Sequence, residues 1–599
     1  MSDQTEPLNM DALFVLDDVR FYPTDRETGV VFNRRNCKTL KLPIREYHIA
    51  RECAELRSLE QHVDEIFRKK GGKEDKTHLR EVLKGVVEAG LTLSAKDVLT
   101  QLQSQEEMQE QTDWRNGWIL AVGSADRPQL LARLLDSLSP YIRDIDVKPT
   151  FIMVDDSRRQ VNQQQNQSAF QAFCAEYRLE SEYIDREQRA TLALTLKNRL
   201  PTCATSIDYL LSPTAHSDTQ NTIGQVRNLI LLKAAGKPLL MLDDDSVISP
   251  LKSKDYSADI SLGDHGRNTH PEKNYLVLRD KLVDENINPL VEHLAVLGKS
   301  VGDVVKHKYT SLLKRENWHG LHREQLFEIN SNQRFAMSIN AIAGALNARQ
   351  MNWFYISDGE TLLRSAQFID AIEEGESIEQ AMWIGARCDE VSRDINLICT
   401  TISGIDALPL LPPMPPVGRN EDVALGQILK YIFTDTQVMR FGWGIPHRPE
   451  PVRRWEPLAT QDEPVYDSNR FLLAFIDDIQ MQCSYGEAKD RLLFLASQLN
   501  CLTRAEALSF ARQALYKHHA SQAYLHENTA TEAAAYPKYQ AGCKKMVNYH
   551  MQQIGQLDQD MNNKVEAFVY LAKLYARSIQ DWLVIWDCFL AGEVTGDVG

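Results

Sequence analysis

The apolar run Leu239–Leu242 empties into three consecutive aspartates, Asp243, Asp244 and Asp245. Three like charges repel, and acidic side chains are poor strand formers, so such an ending needs a reason. It is either a solvated turn or a cage of hard oxygen ligands for a divalent cation, Mg2+ or Mn2+. In the cage, alternation along an extended chain turns Asp244 away from Asp243 and Asp245. A second acid pair, Asp155 and Asp156, ends the run "TFIMV", where the plain alternative is a turn closed by Ser157. A third, Glu421 and Asp422, opens the stretch "EDVALGQILKYIF". Acids in a first helical turn suit the macrodipole, and a carboxylate there can also take the proton of an attacking hydroxyl. His447, inside "FGWGIPHRPEPVRRW", is either a metal or phosphate ligand or a structural imidazole.

The elements that must position these groups read as alternating strands and helices. "WILAV" is followed by a helix with Leu130, Leu131, Leu134, Leu135 and Leu138 on one face, then "TFIMV", then further helices. "IGQVRNLILLKAAGK" spaces Val226, Leu229 and Ile230 as a helix, with Gly236 as its stop, and delivers the chain into "PLLMLDDD". Continuous apolar strands between amphipathic helices predict a mostly parallel sheet with helices on both faces. In such sheets ligands bind beyond the carboxyl ends of the strands, where Asp155–Asp156 and Asp243–Asp245 stand.

Residues 251–395 are polar and mixed, with helical runs expected at Glu360–Glu374 and Ile378–Arg393, and read as an insertion. Sheet character returns at 397–416, where five prolines demand a structured loop, and 441–455 reads as a loop rich in Gly, Pro, aromatic and basic residues. Ahead of the sheet, residues 1–105 form a small α+β or helical unit, with a hairpin in "GVVFNRRNCKTLKLP", a helix near Tyr47–Arg68 and another at Leu79–Glu88. The polar stretch at 106–117 is a linker, 118–460 the sheet-bearing domain, and 461–599 a helical domain.

Composition narrows the partners. With 67 basic and 83 acidic residues the formal charge is −16, which repels nucleic acid and anionic membranes. Ten cysteines without a C-x-x-C pair indicate neither a zinc knuckle nor a disulfide framework. No apolar stretch approaches the roughly 18 residues needed to span a bilayer. "DWLVIWDCFLAG" is expected to be a buried helix, and the start of the chain lacks a signal-peptide pattern. The expectation is a cytoplasmic protein with no integral membrane association.

"GQVRNLILLKAAGKPLLMLDDDSVISP" resembles the nucleotide-sugar heart of GT-A-fold glycosyltransferases of the family-2 type, which pair a Gly…Arg-Asn helix with a strand ending in D-x-D. "WILAVGSADRPQLLARLLDSL" resembles the first strand and helix of that family, "FIMVDDS" the second strand, and "NEDVALG" its E-D motif. The resemblance covers about 118–250 and 397–455. It implies an α/β GT-A domain with a large insertion, acting as a metal-dependent inverting glycosyltransferase. The donor would be a nucleoside-diphosphate sugar, with a leaning to uridine, and the acceptor a peptide, protein or small glycan. It implies Mn2+ or Mg2+ on Asp243, Asp245 and His447, and donor contacts from Arg127, Asp155, Asp156, Arg227, Asn228, Asp243, Arg453, Arg454 and Trp455. Asp422 would be the base and Glu421 an acceptor-binding or orienting group. Arg453, Arg454 and Trp455 are similar to the Arg-Trp of processive members, but Pro451 stands where their glutamine would be. Residues 12–102 also resemble the small winged-helix-like domains that capture leader peptides, a plain scaffold being the alternative. The competing enzymatic reading is a Mg2+-dependent nucleotidyltransferase on a similar sheet.

Overall fold

A computed structural model of the chain describes residues 13–103, 113–213, 222–256, 260–263, 268–308, 321–346, 354–355, 359–373, 376, 378–393, 401–455, 468–480, 482–557 and 561–593. Its centre is one large sheet. From one edge the strands run Glu180–Ile184, Thr150–Asp155, Ile119–Ser124, Pro238–Asp243, Ile402–Asp406, Arg334–Gly344, Thr436–His447, Asp389–Ser392 and Ile260–Leu262. The first four are parallel, as their apolar sequences predict. Ile402–Asp406 then runs antiparallel to both its neighbours, and Thr436–His447 lies parallel to Arg334–Gly344. The sheet is therefore mixed rather than mostly parallel.

Both faces of the sheet are covered, which explains the continuous apolar runs. In Ile119–Ser124, Ile119 and Ala121 enter one core while Leu120 and Val122 enter the other. The first core is roofed by the helices Ile223–Lys233 and Glu421–Ile432 and by the long C-terminal helix Met561–Leu590. That last helix contains the expected "DWLVIW" segment, with Trp582, Ile585 and Trp586 buried. Trp582 Nε1 donates to the Leu411 carbonyl at 2.7 Å and Tyr575 Oη to that of Pro413 at 2.5 Å, so the helix also shapes the proline-rich loop. The second core takes the helices Pro128–Arg143 and Gln160–Tyr177, together with Leu13, Val15, Leu93, Val98 and Leu102 from the N-terminal region. Those residues share a core with Leu131 and Leu135, and Leu56 N–H donates to the Leu321 carbonyl at 2.8 Å.

Several elements differ from the sequence expectation. The helix expected near Tyr47–Arg68 is two, Ile44–Arg51 and Leu59–Lys69, because Ser58 forms a capping box with Gln61 and starts the second. Of the expected linker, 104–112 lies outside the described residues. Asp113–Gly117 follows as a capped turn with Trp114 buried in the core. In 251–395 the helix Gly359–Asp370 is present, but the run expected at Ile378–Arg393 forms the strands Ala381–Gly385 and Asp389–Ser392. Met382 and Ile384 face one core, Ala381 and Trp383 another; burial on both sides hides the alternation. The same stretch supplies the long strand Arg334–Gly344.

The Gly-rich segment at 441–447 is likewise a strand end rather than a loop. Its pairing with Arg334–Gly344 skips from Phe441 to Gly444, a bulge. A side chain at Gly444 would meet the Ala341 carbonyl at 2.5 Å, so the glycine permits the close approach. Among the described residues no helix is long and apolar enough to cross a membrane.

An unusual core joins two C-terminal helices, Arg504–Glu532 and Pro537–Gly555. His519 Nδ1 and His550 Nδ1 lie 3.0 Å apart, His526 Nδ1 reaches the Tyr355 carbonyl at 3.0 Å, and the rings of His526 and His550 stack. His518 and Tyr549 flank them, and Lys564 acts on His519. Burial, then the neighbouring imidazoles, push His550 down to about 3, and burial lowers His518 to about 4. These groups stay neutral in the fold and protonate near 6.5 when unfolded, so their contribution is present above that value and lost as pH falls towards 3. The thermal midpoint should fall between pH 7 and pH 5, and less steeply in the paired variant His519→Leu/His550→Leu. Equal slopes for the two proteins would exclude the cluster as the source.

Candidate functional site

Beyond Asp243 the chain does not continue outward. It crosses the carboxyl edge of the sheet, passing the ends of two strands, until Ser246 bridges to His447 and Val247 N–H reaches the Pro446 carbonyl at 2.9 Å. This crossing brings together side chains that are two hundred residues apart. His447 Nε2 lies 2.7 Å from Asp245 Oδ1 and 3.9 Å from Asp243 Oδ2. The Nδ1 of His447 donates to the Ala345 carbonyl at 2.5 Å, which turns Nε2 towards the acids. One donor atom from each of Asp243, Asp245 and His447 falls within 4.8 Å of the others. Asp245 Oδ1 is buried, with His447 Nε2 beside it.

Burial dominates the electrostatics of the cluster. Burial, then Asp245 and Asp244, push Asp243 up to about 7, although a quarter of its side chain still meets solvent. Burial also raises Asp244, with Arg127 opposing. Burial alone would raise Asp245, but the His447 contact holds it below its ordinary value, and the same contact raises His447 against its own burial. The central aspartate is turned away, as alternation predicts: Asp244 accepts from Ser124 Oγ at 2.7 Å and from Arg127 at 3.0 Å. Arg127 thereby serves the aspartate turn, reaching Asp245 only at 3.8 Å. Arg453 comes within 3.7 Å of Asp245 from the other side.

Arg227 joins this edge to the second acid pair. It ion-pairs with Glu421 at 2.6 Å, lies 4.0 Å from Asp422, and its charge acts on Asp243 as well. Glu421 is buried and raised by that burial, with Arg227 opposing. Asp422 is the more exposed of the two, in the first turn of Glu421–Ile432, which Asn420 enters with φ 64°. Asn tolerates that left-handed conformation better than most residues.

Other expected donor contacts have structural roles instead. Asn228 is fully buried: its Oδ1 accepts Met414 N–H at 2.7 Å and its Nδ2 donates to the Met414 carbonyl at 3.0 Å, clamping the proline-rich loop. Gly224, a turn earlier, lets that loop close in, since a Cβ there would stand 2.2 Å from the Pro415 carbonyl. Asp155 is buried and accepts from Ser157 N–H at 2.8 Å, Asn166 at 3.0 Å and Tyr183 Oη at 2.6 Å. Trp455 packs against Phe354 in a separate core, 5.2 Å between ring centres. The Arg454 backbone bridges to Glu379 beside it.

Asp156 is mostly buried and is held by two arginines, Arg186 at 2.8 Å and the buried Arg189 at 2.7 Å. Nothing in the sequence singled these out, although Asp185 and Gln188 form a capping box that fixes both on a first helical turn. No protein-family model matches the chain, and no curated protein matches it in sequence.

The Asp155 assignment separates binding from stability. Asp155→Ala leaves buried donors unpaired and should cost about 3 kcal/mol of unfolding free energy. Asp156→Asn leaves the buried Arg189 without its carboxylate partner and should also be destabilised, by about 3 kcal/mol. Chemical denaturation of both variants measures these losses, and an Asp155→Ala midpoint equal to wild type would contradict the structural role.

Proposed function

We propose that the protein is a metal-dependent inverting glycosyltransferase with a GT-A-type domain. It would move a sugar from a nucleoside-diphosphate donor, uridine being the expected base, to a hydroxyl of a peptide, protein or small glycan. The observation that carries this reading is the placement of two acid groups at one sheet edge, the Asp243–Asp245–His447 cluster and the Glu421–Asp422 pair, joined through Arg227. The motif order that resembles the family-2 enzymes supports it independently.

In this reading Asp243, Asp245 and His447 would hold a divalent cation, whose chemistry would be to offset negative charge on a diphosphate leaving group. A donor set of two carboxylates and one imidazole suits Mn2+ better than Mg2+, which prefers oxygen alone. Arg453, beside Asp245, and Arg127 add positive charge for the same diphosphate. Asp156 with its arginines, two strands away along the edge and so roughly 10 Å off, is placed to meet the nucleoside. The acceptor oxygen forms the new bond to the anomeric carbon as the bond to the diphosphate breaks and its electron pair leaves with the diphosphate. Asp422 takes the acceptor proton. Glu421, already paired with Arg227, cannot turn to that task and orients the site instead.

Incubation with a panel of nucleotide sugars should release nucleoside diphosphate. Release of pyrophosphate instead would establish nucleotidyl transfer and overturn the proposal. Asp422→Asn should bind donor normally but lose about 10²-fold or more in turnover, because shape is kept and the proton acceptor is removed. Near-normal turnover would take Asp422 out of the mechanism. Chelation should abolish activity, and Mn2+ should restore it more fully than Mg2+; activity that persists in chelator would remove the cation from the reading.

A further inference from the structure

The segments that carry Asp245 and His447 meet in one short backbone pairing, Ser246 with His447, flanked by Val247 N–H to the Pro446 carbonyl, so a brace on that pairing matters. One side chain touches both. Arg133, in the second turn of the helix Pro128–Arg143, donates through Nη2 to the Asp245 carbonyl at 3.2 Å and to the Arg448 carbonyl. Through Nη1 it binds the Glu450 carboxylate at 2.9 Å. The Asp245 carbonyl also receives Arg448 N–H at 2.9 Å, so it carries the tie between the segments from two donors. One turn further on the same helix face, Ser137 Oγ accepts Ile248 N–H at 2.8 Å and fixes the end of the crossing. From the helix start, Arg127 holds the Asp244 carboxylate. A single rigid helix thus grips the crossing at three successive points, and only at Arg133 does the grip extend to the chain carrying His447.

We propose that Arg133 is a positioning residue of the cation site, bracing the backbone pairing that holds Asp245 beside His447 without touching the cation itself. This rests on the cation reading above. A guanidinium suits the task because its planar fork serves two carbonyls and a carboxylate at once, whereas an ammonium is a single point donor. Ligand geometry must hold to about 0.5 Å for a cation site to function, so loss of the tie should appear first in cation affinity.

The test uses the full chain and Mn2+ alone, with affinity measured by calorimetry and the thermal midpoint measured separately. Arg133→Met keeps the apolar stem and removes every donor; Mn2+ affinity should fall about 10-fold, as for other groups that orient ligands from outside. Arg133→Lys should recover part of that loss. Ser137→Ala loosens the same helix from the crossing without releasing Arg448, and its Mn2+ affinity should match wild type. If Arg133→Met does not fold, Arg133→Lys against Ser137→Ala carries the comparison. Wild-type affinity in the Arg133 variants, or equal losses in Arg133→Lys and Ser137→Ala, overturns the positioning role and leaves the cation reading standing. Failure of wild type itself to bind Mn2+ in a manner that Asp245→Asn abolishes overturns both.

Discussion

Three carboxylates at the end of one buried strand are the constraint from which the rest of this sheet edge follows. A pair of unit charges 4 Å apart repels by about 4 kcal/mol at an effective dielectric near 20, so they cannot stand together uncompensated. The structure divides them. Asp244 is sent to one side, to Ser124 and Arg127, while Asp243 and Asp245 share His447 and lie within reach of Arg227 and Arg453. Even so, burial first and then the neighbouring carboxylates hold Asp243 up to about 7.

The geometry that achieves the division depends on parts of the chain far from the aspartates. The antiparallel strand Ile402–Asp406 separates Pro238–Asp243 from the strands that follow, so the Asp-bearing and His-bearing strands end at the same edge without being neighbours. The crossing segment closes that gap. The bulge after Phe441 lies a few residues before His447, at the part of the strand that must meet the crossing. Asn228 does comparable work behind the second acid pair, pinning the proline-rich loop that leads into Asn420 and Glu421. Arg227 and Asn228 are adjacent in sequence yet opposite in role, because successive residues on a helix point about 100° apart: one faces the acids and the other the loop.

The regions outside the sheet are part of its stability. Leu93, Val98 and Leu102 from the N-terminal region and Phe568, Ala572 and Ile579 from the last long helix fill the two cores on opposite faces of the same strands. A parallel strand needs both faces covered, and here the cover on each face is borrowed from an end of the chain.

The strand–helix alternation from Trp118 to Asp245, the acids at strand ends, the turning away of Asp244 and the buried C-terminal helix were all legible in the sequence. Each depends on local periodicity or on residues adjacent in the chain. The mixed sheet was not legible, because Arg334–Gly344 and Ala381–Gly385 are buried on both faces, which blurs the two-residue period, and because strand direction is set by partners that a local pattern does not name. His447 stood out only as a histidine in a Gly- and Pro-rich run, and its meeting with Asp245 required the crossing, the bulge and the Ala345 carbonyl together. Asp155 and Asn228 looked like ligand residues because a polar side chain at a strand end or on a helix reads the same whether it faces a ligand or a backbone. Only the tertiary structure decided between these, since it alone fixes which hydrogen-bond partners the fold has already supplied.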